Sequence, residues 1–186
     1  MAMQKQALKG KTLNGKVEVL PFINPATGEQ FGEVATATAQ DVTRARREMA
    51  AAARTWAAKP VKERVLILRQ LQALMLDEMD EITAVMNEDG GKSRQDALSE
   101  VFMTVDLLNQ YCKHAPRWLR RRRISPGLQF FKRCYVEYKP HGVVGVIGPW
   151  NYPFVLLMPP IFSALLAGNT VMAKPSEVTA ATGVMM

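Results

Sequence analysis

The chain has 186 residues, of which 48% are hydrophobic and 22% charged, with 24 Lys and Arg against 17 Asp and Glu. These values are close to globular averages, so a packed core is expected and wholesale disorder is not. The longest apolar candidate, residues 154–167, is interrupted by Pro159, Pro160 and Ser163 and falls short of the roughly 18–20 residues that span a bilayer.

The basic start, Met1 to Lys11, is followed by no apolar h-region, so no signal peptide is expected and a cytoplasmic protein without a membrane partner is the reading. Val17 to Leu20 alternates weakly as a strand. Asn24-Pro25-Ala26-Thr27-Gly28-Glu29 is a turn sequence, with Pro25 fixing φ and Gly28 supplying a permissive position. Gln30 to Ala35 resumes an extended pattern. From Asp41 the period becomes helical. Asp41 or Thr38 can cap a helix reaching Ala57, with Val42, Ala45, Met49, Ala52 and Trp56 on one face.

Pro60 suits the first turn of a second helix. That helix is expected to carry Val61, Val65, Leu68, Leu71, Leu74, Met75, Met79, Ile82 and Met86 on one face and to stop at Asp89-Gly90-Gly91. A third helix is expected from Gln95 through Val101, Val105, Leu108, Tyr111 and Cys112 to Pro116. These Met and Leu stripes read as core faces.

Much of the +7 net charge is local, because Arg117, Arg120, Arg121, Arg122 and Arg123 crowd one short segment. Such a cluster can bind phosphate backbones, or it can be a solvated helix end complementing the C-terminal dipole. Trp118 is the only aromatic interleaved and no nucleic-acid-binding signature accompanies it, which favours the helix end, and no nucleic acid partner is expected. Two cysteines and two histidines, Cys112, Cys134, His114 and His141, are too few and too scattered for a disulfide scaffold or a zinc site.

Ser125-Pro126-Gly127 turns the chain, and Cys134 to Tyr138 alternates as a strand. Val143, Val144, Val146 and Ile147 form a nearly continuous apolar run, as for a strand covered on both faces of a parallel sheet. After the loop Gly148 to Pro153, a helix over Phe154 to Ala167 ends at Gly168, and Thr170 to Ala173 is a second apolar strand. Strand, crossover helix and strand make a βαβ unit with parallel strands. A further helix is expected from Glu177 onward.

Two loops follow the carboxyl ends of those strands, where open α/β sheets bind ligands: Gly148-Pro149-Trp150-Asn151-Tyr152-Pro153 and Lys174-Pro175-Ser176-Glu177. Gly142, Gly145 and Gly148 are three apart, which is not GxGxxG, and no GxxxxGK[ST] occurs. A standard pyrophosphate grip is therefore absent.

The combination of PWNYP after one strand and KPSE after the next, joined by a helix ending AGN, resembles the aldehyde dehydrogenase superfamily. The Asn24 to Glu29 turn, Asp89-Gly90-Gly91-Lys92 and Glu100-Val101 are similar to further elements of that family in order and spacing, although Glu is the commoner acid where Asp89 stands. The resemblance implies an α/β fold of the aldehyde dehydrogenase type, with a helical leading segment and the start of a Rossmann-type parallel sheet. Residues 1–139 would hold the helical segment and strands of an oligomerisation sheet, and residues 140–186 the first βαβ unit of the dinucleotide-binding domain.

It also implies the reaction. A cysteine thiolate attacks an aldehyde, hydride passes from the thiohemiacetal to NAD or NADP, and a glutamate-activated water releases the carboxylic acid. Asn151 matches the family's oxyanion donor. Lys174 and Glu177 match the residues holding the adenosine ribose, Ser176 is a possible phosphate contact, and Ile147, Pro149 and Trp150 line the cofactor path. A small-molecule aldehyde and a homo-oligomeric enzyme follow as partners. Neither Cys112 nor Cys134 matches the nucleophile's context, and both read as structural thiols. The chain is accordingly expected to be the N-terminal portion of such an enzyme and inactive alone, the alternative being a non-catalytic truncated paralogue that joins a full-length partner.

Overall fold

The computed structural model describes residues 12–13 and 16–186, with side-chain surroundings from Glu18 onward. The basic stretch 1–11 lies outside the described residues. In chain order the elements are β1 (Thr12–Leu13), β2 (Lys16–Val17), β3 (Val19–Ile23), β4 (Gln30–Ala35), α1 (Ala39–Ala58), α2 (Val61–Asp77), α3 (Met79–Gly90), α4 (Arg94–Trp118), β5 (Arg122–Ile124), β6 (Cys134–Val136), β7 (Val143–Ile147), α5 (Pro153–Leu166), β8 (Thr170–Lys174) and α6 (Ala180–Met185). The pairs β1–β2, β3–β4 and β5–β6 are antiparallel, and β7–β8 is parallel, as the βαβ reading requires.

Local chemistry explains most boundaries. The Asn24 turn closes β3 onto β4, with the Asn24 side chain accepting from Ala26 N–H and Gly28 at φ +75°. Thr38 and Asp41 share the start of α1. The Thr38 hydroxyl accepts from Asp41 N–H while the Asp41 carboxylate accepts from Thr38 N–H, a reciprocal capping box.

The single helix expected over Val61 to Met86 is two. Glu78, at φ −98° and ψ 11°, interrupts it, and its N–H turns to the carbonyls of Leu74 and Leu76. Leu74, expected on the buried face, is 44% exposed, whereas Leu68, Met75, Ile82 and Met86 are buried. Other boundaries shift as well. Pro116 does not end its helix, which continues to Trp118; its ring forfeits one i→i−4 bond near the helix end without breaking the last turn. Arg122 and Arg123 belong to β5, paired with Val136 and Tyr135, so only part of the arginine cluster is a helix end. The last helix starts at Ala180, not Glu177.

One apolar cluster runs from Leu68 on α2 through Ala97, Val101 and Leu108 on α4 to Phe154, Phe162 and Leu166 on α5. Helices α1 and α5 also pack on the parallel pair β7–β8. No helix among the described residues is long and apolar enough to cross a membrane.

Candidate active site

The carboxyl edge of the parallel pair carries the predicted residues. Ile147 and Lys174 are cross-strand partners at that edge, and Gly148 N–H donates to Lys174 O at 3.0 Å. Ile147 is 77% exposed and Trp150 60% exposed, and Pro149 and Asn151 are exposed in the loop between them and α5. Gly148 is where backbone must pass closely: a Cβ there would stand 3.0 Å from Leu157 Cβ.

On the neighbouring loop, Lys174 Nζ donates to Glu177 Oε2 at 2.6 Å and to Pro175 O at 3.2 Å. That hydrogen bond, with its accompanying charge, holds the exposed Glu177 carboxyl below the usual carboxylate range. Ser176 is placed differently from its neighbours. It is buried, and its Oγ accepts from Val178 N–H at 3.2 Å, so it faces the turn rather than the open edge.

Buried polar groups from the leading helices fix this edge, and sequence patterning did not assign them these roles. Helix α5 begins with Pro153, which has no N–H, and its N-cap Tyr152 makes no side-chain cap. The next two donors, Phe154 N–H and Val155 N–H, both bond to Glu100 Oε1, at 2.8 and 3.0 Å. The other oxygen, Glu100 Oε2, meets Lys92 Nζ at 2.8 Å, and the Glu100 side chain is 1% exposed. The same ammonium stands 4.0 Å from the centroid of the Tyr152 ring.

Asp89 repeats the device. Its Oδ2 accepts from Thr182 N–H at 2.7 Å and from Thr182 Oγ1 at 2.8 Å in the first turn of α6. At the other end of α5, the guanidinium of Arg64 donates to Leu166 O, Ala57 O and Lys59 O, and Trp56 Nε1 donates to Leu165 O. Burial pulls the Arg64 pKa down. Asn169 closes the unit: its Oδ1 accepts from His141 N–H and Gly142 N–H, and its Nδ2 donates to Ala164 O. The readable signal was a charged residue on an apolar helix face, but the partners of Glu100 and Asp89 on α5 and α6, and the Leu166 carbonyl that Arg64 reaches, lie far along the chain.

Glu100 has a consequence for ligands. The donors and positive end of α5, where a Rossmann fold receives a pyrophosphate, are already taken by an internal carboxylate. The exposed groups at the edge are instead an amide at Asn151 and a Lys–Glu pair, suited to an oxyanion and to hydroxyls. Cys112 is buried on α4 with its thiol pKa pushed up by burial, and Cys134 is half-buried on β6, so neither is an activated nucleophile at this edge. Met79, Leu98, Ser99, Phe102 and Met103 line an apolar hollow of about 360 Å³ on α3 and α4.

Known proteins resemble this chain in sequence and fold. A curated relative, 4,4'-diapolycopene aldehyde oxidase of a Methylomonas species, is 43% identical over 147 residues, covering 77% of this chain and 27% of its own length. An NAD-dependent benzaldehyde dehydrogenase from Corynebacterium glutamicum superposes with a TM-score of 0.82 at 30% identity, over 89% of this chain and 36% of that one. An NADP-dependent glyceraldehyde-3-phosphate dehydrogenase from Bacillus halodurans C-125, complexed with NADP, superposes with a TM-score of 0.83 at 29% identity, over 90% and 36%. The chain thus spans less than a third of the length of the curated relative. The profile of the aldehyde dehydrogenase family matches residues 13–186, and the chain belongs to that family.

Proposed function

We propose that this chain supplies the oxyanion donor and the ribose-binding edge of an NAD(P)-dependent aldehyde dehydrogenase, which oxidises an aldehyde to a carboxylic acid through a cysteine thiohemiacetal. The observation that carries the reading is the exposed Asn151, in a loop held on one side by Gly148 N–H on Lys174 O and on the other by Glu100 on α5. A carboxamide donates a hydrogen bond without titrating, and fixed donors of this kind stabilise a developing oxyanion.

The residues fit a dinucleotide. Glu177 accepts from ribose hydroxyls, Lys174 donates to them or meets a 2′-phosphate, and Ile147, Pro149 and Trp150 offer an exposed flank for the rest. Ser176, turned inward, contributes by shaping the Lys174–Glu177 turn. Bound there, NAD(P) supplies the hydride acceptor. The thiolate and the general base come from residues outside these 186, so the chain by itself turns over no aldehyde. In this reading residues 1–139 form the helical and oligomerisation segment and 140–186 open the dinucleotide domain, in a cytoplasmic homo-oligomer.

The test is Asn151→Ala in the enzyme that joins this chain to its cysteine nucleophile. Turnover should fall by about 10²–10³, with the cofactor KM unchanged. The purified 186-residue chain, given aldehydes and NAD(P), should form no NAD(P)H. A non-catalytic interaction module is the competing reading, favoured by Leu128, Phe130 and Phe131, which are 98%, 86% and 73% exposed between β5 and β6. Under that reading Asn151→Ala is silent.

A further inference from the structure

We propose that Lys92 and Glu100 are a positioning pair that holds the Asn151 amide in its donor orientation, an inference that rests on the oxyanion reading of Asn151. Asn151 is exposed, so nothing in its own burial fixes the side chain. Its orientation must come from the backbone on either side. Upstream, Gly148 is tied to Lys174 and lies against Leu157.

Downstream, the residue after Asn151 is Tyr152, at φ −134° and ψ 66°, and the helix it leads into has no side-chain cap of its own. Glu100 replaces that cap from α4, binding the two free donors after Pro153 with one oxygen. A carboxylate alone would suffice to terminate a helix. The structure adds a cation whose placement a cap does not require. Lys92 Nζ reaches the second Glu100 oxygen at 2.8 Å and lies 4.0 Å from the Tyr152 ring centroid.

One ammonium therefore ties the carboxylate that fixes α5 to the ring next to the donor. Both ends of that tie are anchored outside the loop: Lys92 follows the αL glycine Gly91 that ends α3, and Glu100 is buried on α4. Loss of the cation frees the Tyr152 ring and lets the first turn of α5 shift on an unpaired carboxylate. Displacements near 1 Å in a positioned group cost on the order of 10²-fold in rate.

The experiment is a double-mutant cycle on turnover in the enzyme that carries this chain with its nucleophile, using Lys92→Met, Asn151→Ala and both together. Lys92→Met should lower kcat by roughly 10–100-fold and leave the cofactor KM unchanged. The double variant should be no slower than Asn151→Ala alone, because the lysine acts through the asparagine. Lys92→Arg, which keeps a cation between Glu100 and Tyr152, should restore most of the rate. Should Lys92→Met fail to fold, Tyr152→Leu serves in the same cycle, since this ring is 51% exposed and its removal takes away the contact without opening the core. Losses that multiply independently, or a normal kcat in the lysine variant, overturn the positioning role while leaving the oxyanion reading intact. An inactive parent enzyme overturns both.

Discussion

The Glu100 carboxylate on α4 accepts a 2.8 Å hydrogen bond from Phe154 N–H, 54 residues later in the chain. It also accepts from Val155 and pairs with Lys92, so removing it leaves two N–H groups and a mostly buried ammonium unpaired. Glu100→Ala should lower the unfolding free energy by about 3 kcal/mol, in the range for breaking one side of a buried pair. Urea unfolding measures it. Glu100→Gln should cost less, since its amide oxygen still accepts from the first turn of α5.

Arg64 makes the corresponding prediction at the far end of that helix. Its fork serves carbonyls from α1, the α1–α2 turn and α5 at once. Arg64→Met should cost about 3 kcal/mol, because hydrogen bonds to a charged donor are worth about 1.5–3 kcal/mol each and the Leu166 carbonyl stays buried. Arg64→Lys should recover little of the loss, since a single ammonium does not reproduce the planar fork. Thermal and urea midpoints of the three proteins decide it.

Much of this could be read from the sequence, and the exceptions share a cause. Turns and caps were visible because their chemistry is local: Asn24 with Gly28, Thr38 with Asp41, Gly168 after α5. The parallel pair was visible because Val143 to Ile147 and Thr170 to Ala173 are apolar runs separated by one helix. The break at Glu78 was hidden because Met75, Met79 and Ile82 keep helical spacing across it and no Gly or Pro marks it. Glu100, Asp89 and Arg64 were hidden differently. Their partners include backbone groups 54, 93 and 102 residues away, and a backbone donor or acceptor leaves no trace in the side-chain sequence. The family resemblance offers Ser176 as a phosphate contact, while the hydrogen bond that its Oγ accepts from Val178 N–H within its own turn is a feature no sequence pattern marks.

Gly183 on α6 tests how tightly the Lys174–Glu177 turn is seated. A Cβ there would stand 2.6 Å from Pro175 Cβ, a contact that backbone must move to relieve. Gly183→Ala should cost about 1–3 kcal/mol, as overpacking does, and should raise the cofactor KM by shifting the turn. A superimposable thermal transition and an unchanged KM would show that Pro175 has room to move.

The Lys174–Glu177 bond predicts a pH effect of known sign. The Glu177 carboxyl titrates below its unfolded value, so the pairing is complete above the ordinary carboxylate range and is lost as pH falls through the lowered folded value. Carbon-detected NMR of Glu177 should show that depressed midpoint. Lys174→Met should move it back up, because the lysine hydrogen bond is its largest cause. Both groups are exposed, so global stability should hardly change.

The central claim is that one sheet edge carries two separable functions, an oxyanion donor at Asn151 and a ribose contact at Glu177. Steady-state kinetics of Asn151→Ala and Glu177→Ala, side by side in the enzyme that carries this chain, test it most directly. The account predicts a fall in kcat of about 10²–10³ with an unchanged cofactor KM for the first, and a raised cofactor KM for the second. Wild-type kcat in Asn151→Ala, or a cofactor KM indifferent to Glu177, would contradict it.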